Sequence, residues 1–296
     1  MKNANVSVLM RKLPETINIH LTRACNFGCR FCYAQFAECE QGVMRPEELK
    51  NLIEAIGRAG PSARGCSRKI NFAGGEPLLY PGLPGFVALC KDVNLVTSMV
   101  TNGSLLSERM VGYLRGALDI CALSIDSARG ETNARSGRCA GCVVPDARYY
   151  REVAARLRGA GIRLKVNTVV HRLNVGETLG ELVAEIAPFR WKLFQVKRIE
   201  GQNGASFDEL AVTVAEFREF VKRNRRCVPS HVAVVPETAD EMTDSYAMIA
   251  PNGCFFDNSQ GRYSYSRPIL AAGIMEAFQD VQFSGDKFVS RGGLYE

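Results

Sequence analysis

Six short apolar runs, separated by turn signals and segments of helical spacing, govern what the first two hundred residues can fold into. INIHLT (17–22), KINF (69–72), NLVTSMV (94–100), DICALSI (119–125), RLKVNTVV (163–170) and WKLFQV (191–196) read as strands. Between them lie RPEELKNLIEAIGRAG, whose Pro46 stands where a missing amide hydrogen costs little, a helical stretch at 149–158, and ETLGELVAEIA at 177–187. Apolar strands alternating with helices build a parallel sheet covered by helices. The expected class is α/β, as a doubly wound sheet or an incomplete barrel. Either form gathers ligands at the carboxyl ends of its strands.

After Gly201 the rhythm changes. Residues 211–226 read as a helix and 231–237 as a strand. Residues 246–267, rich in Asn, Gly, Ser, Asp and Tyr, read as loop, and the final RGGLYE is too polar and glycine-rich for a helix. The expected division is a barrel with its lead-in over 1–200 and an extension over 201–296 packed across the open mouth; a separately folding module is the alternative. A chain of 296 residues with 46% hydrophobic content suits one large domain or two small ones. The formal charge of +6, from 37 basic and 31 acidic residues, suits an anionic ligand without demanding one.

Eleven cysteines, an odd number with three too close for bridging, point to a reducing compartment. Cys121 falls in an apolar run and reads as a small buried hydrophobe. Cys139 and Cys142 form a CAGC pair, read as two free loop thiols or as a second metal or redox site. The first fifteen residues carry no secretory signal, and no run reaches eighteen apolar residues, so the expectation is a cytoplasmic protein without a membrane span.

The chemistry concentrates in LTRACNFGCRFCYAQF, where Cys25, Cys29 and Cys32 follow the first strand. Thiolates at this spacing converge on a metal centre. Three ligands on a four-iron cluster leave one iron open for a substrate or cofactor. Zinc competes, but a structural zinc site needs a fourth protein ligand, and no second pair follows closely. His20 sits on the strand and reads as a core or satisfied surface histidine. His171 and His231 read as a loop cap and a strand residue rather than as bases. Ala73–Pro77, AGGEP, follows the second strand; its paired glycines permit a very close backbone path, and Glu76 can accept from a cationic amine. Lys165 and Asn167 share a strand face, as do Arg190 and Lys192 around Trp191.

CNFGCRFC with GGEP resembles the radical S-adenosylmethionine superfamily. That resemblance implies a partial (β/α)6 TIM-like barrel closed by the C-terminal extension, and a [4Fe-4S] cluster on Cys25, Cys29 and Cys32. It also implies S-adenosylmethionine bound through the open iron. It carries over Tyr33, Gly74, Gly75, Glu76, Asn102, Ser124 and Asn167 as cofactor contacts. KINFAGGEPLL, TNGSLL, LDICALSIDS, KVNTVV, NVGETL, FRWKLFQV, IEGQN, VPET, DSY and KFVSRGGLY then occur in the order similar to the viperin family of antiviral enzymes, over residues 17–295. This narrower resemblance implies dehydration of a ribonucleoside triphosphate, CTP before UTP or GTP, to its 3′-deoxy-3′,4′-didehydro form after C4′ hydrogen abstraction. It implies that Lys69, expected near the mouth, together with Lys165, Arg190, Lys192 and Arg291, grips phosphates or sugar. Tyr246 would lie at the sugar and serve the leaving hydroxyl, with Lys165 and Asn167 beside the reaction.

The implied electron donor is a flavodoxin or ferredoxin, with no membrane and no nucleic-acid target. Vertebrate members carry a membrane-binding helix not seen in this sequence, and a serine where Ala73 stands. A radical enzyme acting on peptides and an iron–sulfur nucleic-acid-binding protein are the alternatives. The second predicts a concentrated basic stripe, whereas the basic residues here are interleaved with acids.

Overall fold

A computed structural model describes residues 11–36, 42–62, 64–141 and 143–294. Cys39 and Cys142 lie outside the described residues. Strands β1 (Thr16–His20), β2 (Lys69–Ala73), β3 (Val96–Thr101), β4 (Ile120–Ser124), β5 (Arg163–Val170) and β6 (Arg190–Gln195) stand side by side in chain order, each pair parallel. Parallel neighbours need long crossovers. These contain α1 (Pro46–Arg58), α2 (Leu83–Asp92), α3 (Glu108–Leu114), α4 (Gly130–Arg135), α5 (Ala147–Gly159) and α6 (Gly180–Ile186). The result is a partial (β/α)6, TIM-like barrel. Helix α1 begins at Pro46, and Glu48 accepts the backbone N–H of Arg45 at 2.8 Å, which satisfies one orphan amide of the first turn.

The remaining chain extends both edges of this sheet. Helices α7 (Gly204–Leu210) and α8 (Val214–Arg225) lead to β7 (Ala233–Glu237), which pairs parallel with β6. The chain then returns to the far edge. There β8 (Ala247–Ile249) pairs parallel with β1, and β9 (Cys254–Asp257) and β10 (Ser264–Pro268) continue antiparallel. The ten strands run β10-β9-β8-β1-β2-β3-β4-β5-β6-β7. Residues 246–267, expected as loop, therefore hold three strands. Their apolar runs are only three or four residues long, too short to stand out among turn residues. Yet every residue of β8 and β9 is buried, and Asn252, Gly253, Asn258, Ser259 and Gly261 occupy the bends between strands. Helices α9 (Ile269–Ala272), α10 (Ile274–Gln279) and α11 (Gly285–Ser290) complete the described chain.

Strand alternation separates two environments. Ile17, Ile19, Phe72, Leu123, Val166 and Trp191 are fully buried in the main hydrophobic core. The intervening residues Asn18, Asn71, Lys165, Asn167 and Lys192 line an internal cavity. A barrel usually fills its interior with branched apolar side chains; here polar ones leave room for a ligand. Cys121 is buried on β4, as expected of a small hydrophobe. Among the described residues no helix is long and apolar enough to cross a membrane.

Trp191 is the only tryptophan, fully buried, and its indole N–H donates to Thr168 Oγ1 at 2.9 Å. Trp191→Ala is expected to lower the unfolding free energy by about 3–5 kcal/mol, measured by circular dichroism in a urea titration.

Candidate active site

The cysteine loop leaves β1 and is pinned from two sides. The N–H groups of Gly28 and Arg30 donate to the carbonyls of Gly137 and Ser136 at 3.0 and 2.9 Å. Those of Gly75 and Glu76 donate to Thr22 and Ala24 at 2.7 and 2.8 Å. The paired glycines are required by proximity. A Cβ on Gly75 would lie 2.1 Å from the Ala24 carbonyl oxygen, and Gly74 combines a φ of +142° with a 2.9 Å approach to that of Thr22. The loop thus reaches the cavity with Cys25, Cys29 and Cys32 all on its wall.

Burial pushes the Cys29 thiol up to about 12 and raises those of Cys25 and Cys32. The free thiols are therefore protonated at neutral pH and would release protons on metal ligation. Among the described residues no three His, Cys, Asp or Glu side chains gather on one ion. Three thiols along one cavity wall, with no fourth protein ligand grouped with them, fit the corners of a [4Fe-4S] cluster better than the closed tetrahedron of a structural zinc.

Around the thiols stand the residues expected at the cofactor. Gly74, Gly75, Asn102, Ser124, Asn167 and Tyr33 line the cavity. Asn102 is oriented by donating to Asn26 Oδ1 at 2.9 Å while its Oδ1 accepts from the Ser104 N–H at 2.8 Å. Asn167 Oδ1 is buried without a hydrogen-bond partner, which a ligand donor would satisfy. Glu76 differs from expectation. It is fully buried and does not line the cavity; its oxygens accept from the Asn102 N–H, the Leu78 N–H and the Thr101 hydroxyl at 2.9, 3.2 and 2.7 Å. It ties the end of β2 to the end of β3 from behind Gly74–Gly75.

A second group lies toward β5 and β6. Lys165, Lys192, Tyr246 and Arg291 line the cavity. Lys192 Nζ donates to Tyr246 Oη at 2.9 Å and forms an ion pair with Glu237, and the Tyr246 hydroxyl donates to Glu237. Arg291 lies 3.5 Å from the centre of the Tyr246 ring and donates to the Ser245 carbonyl. Burial, then Arg190 and Arg291, push Lys165 down to about 7 against the pull of Glu237. Burial holds Lys192 well below the ordinary lysine range and Tyr246 well above the ordinary tyrosine range. Arg190 is buried behind the wall, donating to the Gly292 carbonyl at 2.5 Å. Lys69, expected near the mouth, is the first residue of β2. It therefore stands at the amino end of the strand, opposite the end that carries Gly74–Gly75. Lys69 already opens the KINF run in the sequence, and a place near the mouth comes only from the resemblance.

Three groupings escaped the sequence. Glu237, at the end of β7, is fully buried beneath Lys192 and Tyr246. Asp126 forms a buried ion pair with Arg138, whose guanidinium also lies over Phe31 of the cysteine loop. His20, read as core or surface, lines the cavity; burial lowers it to about 4, so it is neutral there. The VPET and ALSIDS runs held Glu237 and Asp126, but no local periodicity links either to its partners, Lys192 and Tyr246 or Arg138. His171 is buried and stacked on Phe31 with centroids 4.8 Å apart, and His231 is exposed, so neither faces the cavity as a base.

Comparison with known proteins agrees with this arrangement. A family model described as the radical SAM superfamily matches residues 19–186. An S-adenosylmethionine-dependent nucleotide dehydratase of Flammeovirga pacifica is 36% identical over 297 residues, 99% of this chain and 99% of that one. One from Lacinutrix mariniflava is 37% identical over 96% of this chain, which spans 59% of that protein's length. Among solved structures, SuiB of Streptococcus suis bound to S-adenosylmethionine aligns with a TM-score of 0.69 over 95% of this chain and 68% of that one. At 15% identity the likeness is one of fold alone.

The close approach at Gly75 is testable. Gly75→Ala should lose most of the iron that the unaltered protein takes up on anaerobic reconstitution. Gly85→Ala, where a Cβ meets nothing within 4 Å, should load normally. Iron analysis and visible absorbance read the difference.

Proposed function

The chain belongs to the radical S-adenosylmethionine superfamily, among its nucleotide dehydratases, and from that premise we propose that it dehydrates the ribose of a ribonucleoside triphosphate. CTP is the favoured substrate, before UTP or GTP, and the product is the 3′-deoxy-3′,4′-didehydro nucleotide, a chain terminator suited to antiviral defence in the cytoplasm. The observation that carries this reading is charge. Among the described residues five basic side chains, Arg138, Lys165, Lys192, Lys197 and Arg291, line the cavity against one carboxylate, Asp126. A triphosphate brings about four negative charges, and buried cations in excess are stabilised by such a ligand.

The family uses a [4Fe-4S] cluster and S-adenosylmethionine; when bound, they supply the 5′-deoxyadenosyl radical that takes the C4′ hydrogen. This chain's own residues do the rest. Cys25, Cys29 and Cys32 hold the cluster. The Gly74–Gly75 backbone, Asn102, Ser124 and Asn167 orient S-adenosylmethionine, with Glu76 bracing that wall. Lys165 and Arg291 neutralise phosphates, with Arg190 and Lys69 adding charge behind and below. Tyr246 holds a proton at Oη near the sugar. Phe31 and Tyr33 keep water from the thiol end. Residues 201–296 act as the cover of the barrel mouth, and a flavodoxin- or ferredoxin-type protein delivers electrons.

The direct assay is anaerobic incubation of the reconstituted enzyme with all four triphosphates together. Mass spectrometry should find one of them, CTP first, depleted in favour of a species lighter by one water; four unchanged triphosphates would refute the reading. The low Lys165 value gives a second test. With its amine at about 7 when free, Lys165 is mostly neutral above that pH and gains a proton when phosphate arrives. Calorimetry in buffers of different ionisation enthalpy should therefore show uptake of roughly one proton at about pH 8 and little at about pH 6. Lys165→Ala should lower the uptake, leaving only what Lys192 and Lys197 contribute.

A further inference from the structure

Glu237 is the one fully buried carboxylate in contact with this end of the cavity wall among the described residues, and the dehydratase reading, which includes its VPET run, gives it no role. It ends β7, behind Lys192 and Tyr246, and is not itself on the wall. Three side chains converge on it. Lys192 pairs with it from β6, Tyr246 donates its hydroxyl to it from the lead into β8, and Arg291 Nη1 lies 3.6 Å from it, from the last turn of the described chain. Lys165 on β5 adds positive potential from the next strand.

Lys192 also donates to Tyr246 Oη, so lysine, phenol and carboxylate form one closed unit of two hydrogen bonds and an ion pair. Arg291 over the ring fixes the plane of the phenol. Tyr246 and Cys32 pack against the same small apolar cluster. The phenol thus lies on the cavity wall beside the cations, where a ribose would lie if its triphosphate met Lys165 and Arg291.

We infer that Glu237 is the positioning residue of a proton-delivery unit, in which Tyr246 gives its hydroxyl proton to the departing 3′-oxygen and Lys192 restores it. The inference rests on the dehydratase reading and deepens it. The C3′–O bond breaks with its electron pair on oxygen, and the proton of Tyr246 turns that oxygen into water. The sugar, already short of the C4′ hydrogen atom, takes one electron from a flavodoxin- or ferredoxin-type carrier and closes the C3′–C4′ double bond. The phenolate takes a proton from the Lys192 ammonium, which solvent recharges after product leaves. The order of acidities favours each transfer. Burial and its basic neighbours make Lys192 a stronger acid than an ordinary lysine, burial and Glu237 make Tyr246 a weaker one, and hydroxide is the strongest base of the three. Glu237 keeps the three groups in register and balances the charge that would otherwise drive Lys192 away from the phenol.

The test compares two products in the reconstituted enzyme, 5′-deoxyadenosine and the didehydro nucleotide. Glu237→Gln keeps the shape and removes the charge. It should still form 5′-deoxyadenosine with C4′ hydrogen transfer, but yield roughly tenfold less didehydro nucleotide per deoxyadenosine, with KM for the triphosphate unchanged or lower. A merely structural role would lower both products together, and a mere counter-ion role would tighten KM and leave the ratio alone; either result overturns the inference. If Glu237→Gln does not fold, Tyr246→Phe, which keeps the ring under Arg291, decides it: the same uncoupling supports the unit, and a normal ratio overturns it. Unaltered enzyme that makes no didehydro nucleotide from any triphosphate refutes the dehydratase reading itself, whereas normal coupling in both variants refutes only the proton unit.

Discussion

The structure depends on an unbalanced charge inside a barrel. Lys165, Lys192 and Arg291 are each buried, and the carboxylate of Glu237 pairs with the last two. Burying ammonium groups without matching anions costs stability, and the protein answers by shifting protons. Lys165 falls to about 7, and Lys192 is held well below the ordinary lysine range. The sign for Lys165 follows. Its folded value is below the 10.5 of a free lysine, so between the two the unfolded chain binds more protons. The lysine therefore weakens the ligand-free fold most below pH 7, and that penalty shrinks as pH rises. An anion in the cavity removes the conflict. The cavity is arranged at the expense of the empty protein and in favour of the occupied one.

Parallel topology places this charge usefully. All six barrel strands end on one side, so the loop after β1, the glycines after β2, Asn102 after β3 and Ser124 at the end of β4 come to one rim. The cations lie lower, on β5 and β6, where alternation turns Lys165, Asn167 and Lys192 inward while Val166 and Trp191 join the core. A ligand with a charged tail and a reactive sugar can span the two zones. Strands β7 and β8 extend opposite edges of the same sheet, and from them Glu237 and Tyr246 meet across the unclosed side of the barrel. The extension thereby contributes residues to the cavity wall as well as strands to both edges of the sheet.

Local patterns carried most of the fold. β5 runs over the residues its apolar sequence indicates, Pro46 opens α1, and the three cysteines share a wall as their spacing implies. What stayed illegible depends on distance. The strands within 246–267 are short and set among turn residues, and only pairing of β8 with β1 and of β9 and β10 in succession makes them strands. His20 alternates with Ile19, but alternation does not say which face is the cavity. Glu76 belongs to a motif that advertises a ligand contact, yet its oxygens bind the backbone of Leu78 and Asn102. Glu237 meets Lys192, forty-five positions away, only after the sheet forms (237 − 192 = 45). Lys69 was legible as the first residue of its strand, and the resemblance alone put it near the mouth.

The central claim is that the sugar of a triphosphate, held by these cations, presents its C4′ position to the thiol end of the cavity. The most direct measurement is isotope transfer. Anaerobic, reconstituted enzyme given C4′-deuterated CTP, and then the other C4′-deuterated triphosphates, should return 5′-deoxyadenosine carrying one deuterium for at least one of them. Deoxyadenosine without deuterium from every one of these nucleotides would contradict the account.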